Sequence, residues 1–166
     1  MTLAFTVYGV AKPKGNMKPF LGRGMKFPIV TESNRNVKSW QQLVAEGASH
    51  ALHAVPLEQQ AVLYASPVRL TVGFYLPRPK SLPKRRPVAH LTAPDLDKLT
   101  RCIGDALSQV VYGDDAQVVE AVVGKFYAGL GEAPRVDVRV EATAGVQPLR
   151  VPAAPLPLPL FAEALP

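Results

Sequence analysis

Cysteine is nearly absent from this chain of 166 residues: Cys102 stands alone. No intrachain disulfide can form, and no Cys-x-x-Cys or zinc-type cluster exists. That fits a reducing compartment, and the expected location is the cytoplasm. Long apolar runs are missing too. None approaches the ~20 residues that a membrane span needs, so no membrane partner is expected. The opening MTLAFTVYGVAKPKG lacks the basic start and cleavage site of a signal peptide. Internal repeats are absent, as are the Gly-x-x-x-x-Gly-Lys-Ser/Thr phosphate loop, His-Glu-x-x-His and Gly-x-Ser-x-Gly.

What is present is a basic chain with ordinary core-forming content. Hydrophobic residues make up 48%, enough for one domain. The 19 Lys+Arg outnumber 13 Asp+Glu, for a net charge of +6. That balance favours an anionic partner such as nucleic acid.

Alternation predicts a strand over Leu3 to Val10. Residues 11–28 are rich in Lys, Gly and Pro, show no period, and read as a loop carrying Lys12 and Lys14. Asn34 to about Ala54 reads as a helix, capped by Ser33 or Asn34. Its apolar face would be Val37, Trp40, Val44, Ala48 and Ala51. Trp40 reads as core, and His50 and His53 as exposed helix histidines. Pro67 to Leu76 is the clearest strand, with Val68, Leu70, Val72, Phe74 and Leu76 on one side. Prolines break residues 77–94 into a second basic loop bearing Arg78, Lys80, Lys84, Arg85 and Arg86. His90 in that loop receives no role.

A helix then opens near Asp95, which can cap it. Leu99, Ile103, Ala106, Leu107 and Val110 form one stripe. Asp97 and Arg101, four apart, share the opposite face. Cys102 borders the stripe and reads as packing. Gly113, Asp114 and Asp115 read as a turn. Strands Gln117 to Ala128 and Arg135 to Thr143 follow, joined by a Gly-containing loop that suggests an antiparallel hairpin. The order is β-α-β-α-β-β: a single α+β domain, with a mixed or antiparallel sheet and helices on one face. The domain is expected over residues 1–144. Residues 145–166, proline-rich and almost uncharged, read as an extended or mobile tail whose partner is unknown.

The acids concentrate in one place. Asp95, Asp97, Asp105, Asp114 and Asp115 lie close together in a basic chain. Mutually repelling carboxylates are relieved by a hard divalent cation, and Mg²⁺ needs only a few of them. That points to phosphoryl chemistry, with nuclease, phosphatase and plain Ca²⁺ binding all open. A continuous helix would set Asp97 and Asp115 some 25 Å apart at ~1.5 Å per residue. The chain must double back, or a second subunit must contribute.

The ordered set Asp95-Leu96-Asp97, Leu99, Asp105-Ala106-Leu107 and Asp114-Asp115-Ala116-Gln117-Val118-Val119 resembles the RusA family of Holliday junction resolvases. FYLPRPKS before it, Lys125 after it, and the opening strand followed by Lys12 and Lys14 fit the same pattern. The resemblance implies a homodimeric Mg²⁺-dependent endonuclease, with Mn²⁺ as a substitute, acting on branched DNA in recombination and repair. By motif position it implies Asp95, Asp97 and Asp115 as metal-binding and catalytic acids, with Asp114 as a possible additional ligand or supporting group. Arg101 stands where the family usually has a catalytic lysine. It keeps the cation but not a readily lost proton. Lys98 stands where asparagine is usual. Lys12, Lys14, Arg78, Lys80, Lys84, Arg85, Arg86, Lys98 and Lys125 are the expected DNA contacts. The alternative is a catalytically silent binder of branched DNA; a Ca²⁺-stabilised structural protein is a third reading.

Overall fold

Val68–Leu76 (β4) is the strand around which the molecule is built. Its alternation is complete: Val68, Leu70, Val72, Phe74 and Leu76 are all buried. The computed structural model describes residues 1–15, 17–20, 29–32, 36–83 and 88–144. The other elements are β1 (Thr2–Tyr8), β2 (Met17–Phe20), β3 (Ile29–Glu32), α1 (Val37–Leu52), α2 (Leu57–Ala65), α3 (Leu96–Leu107), β5 (Val118–Tyr127) and β6 (Arg135–Ala142). A single 3-10 turn, Asp115–Gln117, precedes β5.

The main sheet has the order β1-β6-β4-β5. β6 runs antiparallel to both β1 and β4, whereas β5 runs parallel to β4. The expected α+β class, with helices over one sheet face, is the observed one. Val136, Val138 and Val140 of β6 and Leu3 and Val7 of β1 join the buried side of β4. Val37, Trp40, Val44 and Ala48 of α1 and Leu99, Cys102, Ile103, Ala106 and Leu107 of α3 close that core. Both apolar stripes are those expected, except that α3 stops at Leu107. Val110 packs on the core from the turn that follows. Gly9 ends β1 at φ +134, a conformation that side chains disfavour; a Cβ there would also come within 3.1 Å of the Trp40 ring.

Two expectations are corrected. β5 and β6 are not a hairpin: both pair with β4, and residues 128–134 pass over its end, held by Ala128 N–H to Leu76 O and Gly9 N–H to Pro134 O at 2.8 Å each. A glycine-bearing loop suits either connection, so its composition cannot tell them apart. Residues 17–20, expected within a loop, form β2 and pair with β3, Phe20 opposite Ile29. Four-residue strands are too short for alternation to show, and Pro19 is tolerated at such an edge. Helix α2 carried no expectation because only its Leu63 is buried, leaving almost no apolar period to detect. The N-cap position of α1 is Asn36; residues 33–35, where its cap was expected, lie outside the described residues. So does the tail, 145–166.

Phe74 is fully buried in the central strand. Phe74→Ala should cost about 3–5 kcal/mol of stability, read from the urea midpoint. A loss under about 1 kcal/mol would show that this strand is not the packing centre.

Candidate active site

The start of α3 is assembled by three basic residues from three parts of the chain. Asp95 occupies the N-cap position in extended conformation, as expected, but its side chain makes no capping hydrogen bond. Its carboxylate takes the Lys98 ammonium at 2.9 Å instead. A charge-assisted bond outcompetes a backbone N–H. That bond and the Lys98 charge, with a smaller contribution from Lys125, hold the Asp95 carboxyl below its ordinary pKa, and Asp95 in turn raises Lys98. One turn on, Asp97 and Arg101 approach to 4.0 Å, both well exposed. Such a surface pair is weak and leaves both groups open to a ligand.

Lys125 comes from β5. Its register opposite Phe74 points it to the helix-covered side of the sheet. Its ammonium donates to Thr92 O at 2.7 Å and Pro94 O at 3.0 Å, the carbonyls just before Asp95. The Ala93–Pro94 peptide bond is cis. Lys14 comes from the segment after β1. Its backbone N–H bonds Lys98 O at 3.0 Å, and its side chain pairs with Asp105, which also accepts from Gln41. Lys125 ties down the chain entering α3 and Lys14 straps its flank; both, expected as DNA contacts, thus also bond within the fold.

His90 is a residue that sequence reasoning passed over. It is buried, its ring lies tilted against that of Tyr127 with centroids 4.3 Å apart, and its Nδ1 has no partner among the described residues. Burial, then the nearby Lys125 charge, lowers its pKa. A lone histidine in a proline-broken loop gives no signal of this. Arg78 is half-buried, donates to Pro83 O at 2.5 Å, and its Nε lacks a partner among the described residues. Lys80 is exposed and Lys12 half-buried. Lys84, Arg85 and Arg86 lie outside the described residues.

The second acid pair sits elsewhere. α3 has 12 residues, hence roughly 18 Å of length. It begins beyond the C-terminal end of β4. Because β5 is parallel to β4, the chain then re-enters the sheet at the opposite end, Val118 beside Val68. Asp97 lies in the first turn of α3. Asp115 lies past its far end, close enough to buried Tyr112 that burial, then Asp115 and Asp105, raise that hydroxyl's pKa; Tyr112 donates to Gly104 O at 3.1 Å. Asp114 is occupied with capping: its carboxylate accepts from Ala116 N–H at 2.8 Å and its own N–H donates to Gln117 Oε1 at 2.9 Å. Gln117 locks the turn to Tyr64 O and Ser66 O. Asp115 is exposed and makes no ion pair among the described residues. One chain thus places Asp95, Asp97, Lys98 and Arg101 together and Asp115 apart. No group of three or more acid, His or Cys side chains fit for a metal forms among the described residues.

Residues 11–141, most of the chain, match the model of the family described as Endodeoxyribonuclease RusA. The chain belongs to the RusA family. It is also similar to YqaN of Bacillus subtilis strain 168, an uncharacterised protein, at 31% identity over 147 residues, covering 83% of this chain and 94% of that one. The family match spans all the described basic and acidic residues of this site. No helix among the described residues is long and apolar enough to cross a membrane.

Lys98→Met removes the bond and most of the charge acting on Asp95, so the Asp95 pKa should rise to its ordinary range. Carboxyl-carbon NMR titration reads this, and an unmoved Asp95 would disprove the coupling. For His90 the folded pKa lies below the unfolded one. Stability is then fully present above about pH 6.5 and falls as pH drops from there toward the folded value, because the unfolded chain binds the extra proton. His90→Phe should flatten the urea midpoint in that window; an unchanged pH profile would assign the effect elsewhere.

Proposed function

We propose that this protein is a Mg²⁺-dependent, structure-selective DNA endonuclease that resolves four-way junctions by symmetric phosphodiester hydrolysis, acting as a cytoplasmic homodimer in recombination and repair. The observation that carries the reading is membership of the RusA family over residues 11–141, coinciding with an exposed Asp95–Asp97 pair flanked by cations.

Asp95 and Asp97 offer hard, solvent-facing oxygens that suit Mg²⁺, or Mn²⁺ in its place; one or two protein carboxylates with water and phosphate oxygens are enough. When bound, the ion supplies neutralisation of the scissile phosphate and water activation. The protein's own residues do the rest. The Arg101 guanidinium, held among the described residues by a weak pair to Asp97, can turn its planar donors onto a phosphate as charge builds there. Lys125 and Lys14 keep the start of α3 in place, so the acids do not pay for alignment when DNA arrives. Lys98 competes for the Asp95 oxygen and would swing to the DNA backbone once a metal takes it. Lys12 and Lys80, with Lys84, Arg85 and Arg86, supply further backbone contacts.

Asp115 enters this reading from a second copy. A helix of roughly 18 Å separates it from Asp97 within one chain, so each metal site would join Asp95 and Asp97 of one copy to Asp115 of the other. The alternative, a silent binder of branched DNA, is favoured by the Lys98–Asp95 bond, which fills the place a cation would take.

A labelled four-way junction and a matched linear duplex, each with and without Mg²⁺, separate the readings. The enzyme cuts the junction alone and needs the ion; the binder retains the junction without nicking it. Asp97→Asn and Asp115→Asn should each abolish cutting and spare binding. Mixed together, these two inactive variants should recover nicking, because half of the shared sites in a mixed dimer carry both native acids. No recovery would return Asp115 to a site within its own chain, and undiminished cutting by the single variants would sink the assignment.

A further inference from the structure

The arginines on the open face of the main sheet, the side away from the helices, neutralise acids outside the candidate site. Arg69 pairs with Glu120 at 2.7 Å, Arg139 with Glu141 at 2.9 Å, and Arg135 with Glu132 at 2.8 Å and Asp137 at 3.4 Å. Lys98 differs from all of them. Its ammonium closes on Asp95, a carboxylate of the site itself. The first turn of α3 brings the two together at a spacing of three residues. Asp95 forgoes its capping bond in this arrangement. The Lys98 backbone is held where Lys14 N–H bonds its carbonyl at 3.0 Å, so the side chain swings from a fixed root. The pair lies at the surface, with the Lys98 side chain 35% exposed and that of Asp95 60%. The ammonium can leave without breaking the core.

Opposite pulls act on that ammonium. Asp95 and, less strongly, Asp97 attract it, whereas Arg101, three residues on, repels it. Like charges one helical turn apart are unfavourable, and an anion between them relieves the repulsion. A phosphate is such an anion. It accepts an ammonium as a point charge and a guanidinium through its planar fork. A divalent cation has the converse preference: Asp95 attracts it and Lys98 repels it. Phosphate and divalent ion therefore favour the same arrangement, the one in which the ammonium has left Asp95. Two ligands that favour one state raise each other's affinity.

We propose that Lys98 is a latch on the candidate metal site: it occupies Asp95 in the free protein and moves to a DNA phosphate, so that DNA admits the ion. The latch rests on the divalent-metal reading above and adds an order to it, DNA first and ion second. In the free protein an ion must displace a bonded ammonium and sit beside a like charge. On DNA it meets neither obstacle. The chain is thus kept unloaded until it lies on its substrate, which confines hydrolysis to bound DNA.

Mn²⁺ uptake by the full chain without DNA, read from loss of the free-ion paramagnetic resonance signal, tests the closed state. Lys98→Met should bind Mn²⁺ at least about fivefold tighter than the wild type; Lys98→Gln replaces it if circular dichroism shows a misfolded protein. Arg101→Met removes the same charge from a looser pair and should gain less than about twofold. Fluorescence anisotropy of a labelled four-way junction, at constant ionic strength with and without Ca²⁺, reads the coupling. The ratio of Kd without Ca²⁺ to Kd with it should be at least about threefold larger for the wild type than for Lys98→Met. Any effect of Ca²⁺ on the DNA itself cancels between the two proteins. Three results would each overturn the latch: Lys98→Met no tighter for Mn²⁺ than the wild type, equal gains from Lys98→Met and Arg101→Met, or equal coupling. Those results leave the metal reading standing. Absence of Mn²⁺ uptake by the wild type and Lys98→Met alike would instead sink the metal reading and the latch together.

Discussion

The pairing of β4 governs this molecule. One edge of that strand bonds antiparallel to β6 and the other parallel to β5. Parallel neighbours cannot be joined by a tight turn, so the chain must cross from one end of the sheet to the other, and α3 makes the crossing. Both ends of α3 thereby become fixed points. The Asp95–Asp97 pair lies where the crossing begins, and Asp114–Asp115 where it ends. The separation of the two acid pairs is thus a property of topology.

A second theme is how the basic residues divide. Lys14, Arg78 and Lys125 bond to backbone carbonyls, or to Asp105, and hold loops in place. Arg69, Arg135 and Arg139 neutralise acids on the open sheet face, with Arg135 also resting 4.1 Å from the Tyr75 ring centre. What remains near the acids at the start of α3 is Lys98 and Arg101. A net charge of +6 therefore says less about DNA contact than the location of these few groups.

Much of this was legible in residue pattern. The alternation of β4 and β6 and the stripes of α1 and α3 named the core almost residue for residue, because burial on one face imposes a period. The Asp97–Arg101 pairing followed from helical spacing for the same reason. Strand order was not legible: β5 and β6 look like hairpin partners locally, and only the competition for β4 decides otherwise. β2, β3 and α2 escaped because short or mostly exposed segments carry little periodic signal. At the site, nothing in composition says that Lys125 would bond Thr92 and Pro94 or that Lys14 would pair with Asp105. His90 was passed over because its burial depends on Tyr127, far along the chain.

The place of β6 between β1 and β4 has a consequence for how the chain comes to be folded. Thr2 pairs with Glu141, so β1 meets its one neighbour in the main sheet among the described residues about 139 positions later in the chain. During synthesis β1 must wait, unpaired, until residues 135–142 have emerged. No N-terminal fragment that stops short of them can close the sheet. Contacts this distant in sequence make folding a late, collective event.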